Sequence, residues 1–160
     1  MPRILYLLVL FFISSPAFAK RLAVLELRGV GIQESMLKLL SDKARSGVLD
    51  AASGRKFGGE KLRVLTRENM LDILKQMGKT AEDCKGECEV ELARNIGADF
   101  VISGELVKLD GLYILSLKLH ETRRGDLLAA DSVESEGLKA LMSGVRDLGS
   151  KLCRRGMGGK

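Results

Sequence analysis

The stretch ADFVISGELVKLDGLYILSLKLHETRRGD, residues 98–126, decides the fold. Two runs rich in aliphatic and β-branched residues meet at Asp110-Gly111, and a two-residue turn needs positive φ at both central positions, which Asp and Gly tolerate. This predicts a hairpin that sets Leu109 opposite Leu112, Val107 opposite Ile114, Leu106 opposite Leu115, Gly104 opposite Leu117 and Ile102 opposite Leu119. Side chains alternate along a strand. Ile102, Leu106, Leu115, Leu117 and Leu119 therefore share one face, and Ser103, Glu105, Ser116, Lys118 and His120 the other. The first face suits a core; the second suits water or a partner.

Working outward, Thr122 to Asp126 reads as a second turn and Leu127 to Ser135 as a third strand of the same meander. Leu138, Leu141, Met142, Val145, Leu148 and Leu152 then fall on one side of a helix that can cover the core face, with Gly137 just before it. Residues 153–160, CRRGMGGK, read as a basic flexible tail. Upstream, Glu89 to Gly97 predicts a short helix whose apolar residues are Val90, Leu92, Ala93 and Ile96.

Nearer the start, Arg21 to Arg28 reads as the first strand and Ser35 to Ala52 as a helix, with Leu37, Leu40, Ala44, Val48 and Ala51 on its buried stripe. Ser53 to Lys61 reads as a polar loop and Leu62 to Leu65 as a short strand. Thr66 is placed to cap the next helix, which carries Met70, Ile73, Leu74 and Met77 and ends at Gly78. The fold class is α/β (α+β): one domain over 20–152, a mixed sheet with a C-terminal antiparallel meander packed against amphipathic helices.

The first 19 residues carry an address. Arg3, the apolar run Ile4 to Ile13 and the small-residue pattern ending in Ala17-Phe18-Ala19 have the layout of a secretory signal peptide, expected to be cut between Ala19 and Lys20. Ten apolar residues are too few for a span of roughly 20, so no stable transmembrane segment is expected after cleavage, and the mature chain is expected in the periplasm. No lipidation Cys adjoins the cut.

The net charge of +5 and pI near 9.2 invite a nucleic-acid reading. Its distribution excludes that reading. Of 26 Lys and Arg, five lie outside residues 20–150 (Arg3, Lys151, Arg154, Arg155 and Lys160), leaving as many bases as the 21 Asp and Glu, all of which lie inside. A body of balanced charge with 4% aromatic residues lacks the basic face and stacking platform such binders use.

Reactive groupings are sparse. Cys84 and Cys88 are candidates for a local disulfide in an oxidising compartment, contributing about 2 kcal/mol through so small a ring. Cys153 is left over, either free or bridging two chains. Two cysteines and a distant His do not make a four-ligand metal site. Gly29-Val30-Gly31 has the first two glycines of a dinucleotide fingerprint, but Glu34 stands where the third belongs. The lone His120 reads as a solvated strand residue, and Glu105 and Lys118 as a diagonal surface pair. No catalytic, cofactor or metal residue is expected.

AVLEL at Ala23 to Leu27, VLTRENMLDILKQMG at Val64 to Gly78 and the run from Val90 to Ala130 together resemble a small domain of bacterial envelope proteins. The most telling piece is the run from Ile96 to Leu119, where Gly97-Ala98-Asp99 leads into the strand, Gly104 interrupts it and a turn returns it. That superfamily includes the amino-terminal domain of the Tol-system translocation protein, the periplasmic part of the curli-secretion lipoprotein and lipoprotein activators of penicillin-binding proteins. The resemblance implies a non-enzymatic periplasmic module that binds envelope proteins or assists assembly. A self-assembling subunit linked through Cys153, and a wall-directed enzyme using His120 and Glu105, stand as alternatives.

Overall fold

The computed structural model describes residues 19–80 and 88–158. Its sheet has the order β2-β3-β1-β4-β5-β6, from β1 (Lys20–Val24), β2 (Lys56–Phe57), β3 (Glu60–Val64), β4 (Phe100–Leu109), β5 (Leu112–Glu121) and β6 (Leu127–Ser135). Four helices accompany it: α1 (Glu34–Ala52), α2 (Arg67–Gln76), α3 (Glu89–Asn95) and α4 (Leu138–Met157). β1 lies parallel to β3 and β4, and β4, β5 and β6 form the antiparallel meander. The expected mixed α/β single domain is the one built.

The hairpin holds the register read from sequence, with Leu109 opposite Leu112 and Ile102 opposite Leu119. Asp110 and Gly111 both take positive φ, 48° and 85°. Ile102, Leu106, Leu115, Leu117 and Leu119 are fully buried. They join Leu22 and Val24 of β1 and the apolar stripes of α1 and α4 in the main core. α1 and α4 approach backbone to backbone: a Cβ on Gly149 would sit 2.5 Å from the Ala44 carbonyl oxygen, and one on Gly47 would overlap that of Arg146.

The opposite face has its own, smaller core. Ala23 and Val101, the alternate residues of β1 and β4, pack with Leu65, Met70, Leu74, Leu92, Ala93 and Ile96. Thr66 caps α2 as expected, its hydroxyl accepting from the Asn69 amide at 3.2 Å. This second layer buries Ser103, which the alternation had assigned to a face for water or a partner. The reason is tertiary: α3 packs on β4 and covers its first half.

The Gly97-Ala98-Asp99 motif is a structural clasp. Gly97 ends α3 with φ at 72°, and Asp99 pairs with Arg21 twice, its carboxylate and its amide each at 2.8 Å from the Arg21 backbone. The buried Thr122 hydroxyl donates to the Ala98 carbonyl at 2.6 Å, and Arg94 donates to the Thr122 carbonyl. One short motif thereby ties the starts of β1 and β4 to the turn after β5.

Several boundaries differ from the sequence reading. Residues 53–61 are not simply a loop, because Gly58 and Gly59 turn β2 back on β3, and Phe57 reaches the main core. The first strand ends at Val24, with the chain rejoining β4 through a bridge between Arg28 and Glu105. Gly104 does not interrupt β4, which runs through it; a Cβ there would meet the Leu117 side chain and the Ser116 carbonyl within 2.6 Å.

The flexible tail placed at 153–160 is corrected: α4 continues to Met157, because Cys153 and Met157 extend its buried stripe by one position in four. Cys153 is a free, fully buried thiol, so it does not reach a second chain. Burial pushes that thiol up to about 11. Cys84 and residues 1–18 lie outside the described residues, and with them the Cys84–Cys88 pairing and most of the export segment. Among the described residues no helix is long and apolar enough to cross a membrane.

Candidate functional site

After Val24 the chain stays beside β4 but gains a residue. The Leu25 amide donates to the Ile102 carbonyl and the Arg28 amide to that of Gly104, so three residues on one strand span two on the other. A bulge of this kind re-aims side chains. Leu25 joins the smaller core and Leu27 the larger, and the freed Leu27 amide donates to the buried Ser41 hydroxyl at 2.8 Å. Glu26 is left half-buried between the two helical layers, its Oε1 enclosed.

That position is a branch point. β1 and β3 are parallel neighbours, yet the chain leaves β1 for the α1/α4 face and β3 for the α2/α3 face. Diverging connections at the carboxyl ends of adjacent parallel strands open a crevice where α/β sheets place ligands. Here it is a cleft of about 630 Å³, lined by residues 25–28, by Glu34, Leu37 and Lys38 of α1, by Arg67, Met70, Leu71 and Leu74 of α2, by Thr80, by Glu89 and Leu92 of α3 and by Ile96 just past its end. Its volume lies within the roughly 300–1,000 Å³ of ordinary binding pockets.

The floor is apolar and the rim is charged in pairs. Arg67 Nε lies 2.9 Å from Glu26 Oε1, and Arg28 pairs with Glu89. Arg45, buried beneath the rim, donates to the Val24 carbonyl at 2.8 Å, pairs with Asp42 and stands 3.9 Å from Glu26. Glu34 is the first residue of α1, so a carboxylate already occupies the positive end of that helix. This disfavours a phosphate beside Gly29-Val30-Gly31, in line with the missing third glycine.

His120 is not part of the cleft lining. It sits opposite Val101, half-buried rather than solvated, with Nδ1 enclosed and without a hydrogen-bond partner. Burial holds its pKa below the usual value, the Glu89 carboxylate pulls it up, and Lys118 lowers it further. Glu105 stands opposite Ser116, diagonal to Lys118 as expected, but the two form no ion pair. Among the described residues no three His, Cys, Asp or Glu converge as a metal site would require. Lys20, expected as the first residue after cleavage, opens β1.

The sequence reading missed the cleft residues. Ser41 and Arg45 carried a signal: they follow Leu37 at four-residue spacing on α1, polar groups inside an apolar stripe, which implies a buried main-chain partner.

No protein-family model matches the sequence, and no curated protein matches it. The fold is shared with several solved domains. The lipoprotein GNA1162 from Neisseria meningitidis superposes with a TM-score of 0.58 at 16% identity, over 83% of this chain and 96% of that one. The LpoB C-terminal domain from Salmonella enterica gives 0.54 at 15%, over 78% and 87%. A PelC dodecamer subunit from Paraburkholderia phytofirmans gives 0.50 at 14%, over 91% and 93%. At these identities the likeness is one of fold, and it agrees with the resemblance read from the hairpin and its Gly-Ala-Asp entry.

Proposed function

We propose that the chain is a non-enzymatic, periplasmic protein-interaction module of the bacterial envelope, an accessory or assembly factor exported through a signal peptide cut between Ala19 and Lys20. The observation that carries the reading is the fold shared with GNA1162, named a lipoprotein, and with the LpoB C-terminal domain. The site chemistry supports it: Glu26 is paired with Arg67 and Glu89 with Arg28, and His120 Nδ1 has no hydrogen-bond partner. Such a surface recognises shape and charge rather than transforming a substrate. The cut falls before the first residue of β1, so export leaves the sheet intact.

Crosslinking in the intact envelope, followed by identification of the partner, tests the reading. A reproducible protein adduct in the periplasmic fraction, with Lys20 as the mature amino terminus, supports it. A chain retained in the cytoplasm with its first 19 residues, or one that crosslinks only to small molecules, overturns it.

A second reading, a self-assembling subunit, is favoured by one feature. β6 is a nine-residue edge strand with neither Lys, Arg nor Pro, whereas the other edge, β2, has two residues and carries Lys56. A long edge strand offers unpaired main-chain groups to a further strand, although Asp131 and Glu134 add charge to this one, and the PelC likeness is to a dodecamer. Sedimentation at micromolar concentration separates the two: a single monomeric species removes the second reading.

A further inference from the structure

We propose that the cleft at the carboxyl ends of β1 and β3 seats one amphipathic helix of a protein partner, an inference that rests on the interaction-module reading above. An added strand is disfavoured because the main-chain edge it needs is already closed. Ser41 accepts from the Leu27 amide, and Arg45 donates to the Val24 carbonyl. What remains open is side-chain surface between two diverging helices, the setting in which an amphipathic helix lays its apolar face.

The walls fit that occupant. Met70 and Leu74 of α2 form the base, an adaptable thioether among branched side chains, and Leu71 stands 41% exposed on the wall among the described residues. Along the rim Glu26, Glu34 and Glu89 balance Arg28, Lys38 and Arg67, so an anionic lipid headgroup or polyanion meets as much repulsion as attraction. Glu34 and Lys38 lie one turn apart on α1, opposite in sign, and neither joins any ion pair formed among the described residues. A helix carrying a base and an acid one turn apart answers both at once.

The test uses the full chain with its export segment. A photo-crosslinking side chain is placed at Leu71 on the cleft wall, at Leu109 on the hairpin tip or at Ser132 on β6, and adducts from the intact envelope are mapped by mass spectrometry. Adducts from position 71 are expected to fall on a partner segment whose apolar residues recur every three or four positions. That segment, as a synthetic peptide, should bind the purified chain. Leu71→Glu, which alters an exposed residue and leaves the circular dichroism unchanged, should weaken binding about tenfold or more. The double exchange Glu34→Lys with Lys38→Glu should weaken it too, and reversing the peptide's two charges should restore it.

Adducts from position 71 on lipid, or on a segment without that periodicity, overturn the cleft proposal. So do protein adducts from 109 or 132 with none from 71, although the interaction-module reading then survives. Absence of protein adducts from all three positions removes both.

Discussion

On the face covered by α1 and α4, helix backbones touch through Gly47 and Gly149, and Leu115, Leu117 and Leu119 of β5 are sealed from water. On the face covered by α2 and α3, the helices are shorter, the buried residues fewer, and a cleft remains between α2 and the chain leaving β1. The same six strands therefore carry a close-packed side and an open one. The difference teaches where the molecule keeps its stability and where it keeps surface for recognition, since interiors packed to crystal density have no room for a ligand.

The comparison breaks first at the helix seam. Gly149→Leu or Gly47→Leu forces a side chain into the facing carbonyl and is expected to destabilise by about 3 kcal/mol or more, whereas Leu71→Ala on the open side should stay within about 0.5 kcal/mol; urea unfolding midpoints compare them. Truncating core side chains comes next. Leu119→Ala, fully enclosed under α4, should lose about 4 kcal/mol, and Leu92→Ala, at the cleft margin where the site can relax, about 2 kcal/mol. Equal losses in the same denaturation experiment would mean the two sides are packed alike.

A third experiment probes the join between the layers. Arg45→Met keeps the apolar stem but strands the Val24 carbonyl and removes the partner of Asp42, while Glu26 keeps Arg67, for an expected loss of about 2 kcal/mol. A smaller effect is read by pH. His120 binds its proton less readily folded than unfolded, so stability should be full above 6.5, its ordinary value, and decline as pH falls below it. Asp50 and Asp131, held low by Arg146 and by Lys151, add a further loss only once pH falls below 3.8. His120→Leu should remove the first decline in pH-scanned melting curves and leave the second.

The smallest change concerns reactivity alone. Cys153, buried and pushed up to about 11, should resist alkylation at pH 8 in the folded chain and react at once in denaturant. Rapid labelling of the native protein would show that the end of α4 opens readily, which the close-packed side is not expected to allow.

Much of the fold was legible because its signals are local. The Asp110-Gly111 turn fixes the hairpin register by itself, and the apolar spacing of α1, α2 and α4 announces their buried stripes. Where reading failed, the cause was distance in sequence. Phe57 looked like one apolar residue in a polar loop because the core that takes it comes from other segments. Ser103 looked solvent-facing because its burial comes from packing outside its own strand, on the face where α3 meets β4.

Local pattern alone determined that this chain makes a Leu-lined meander with helices to cover it, since alternation and helical period are written into neighbouring residues. Which helix covers which face was decided only by tertiary structure, and with it the cleft. The bulge between Leu25 and Arg28, the burial of Arg45 and the meeting of Glu26 with Arg67 depend on segments far apart in the chain that come together around the end of β1. Long-range packing energy, not local propensity, selects among the ways such pieces can close.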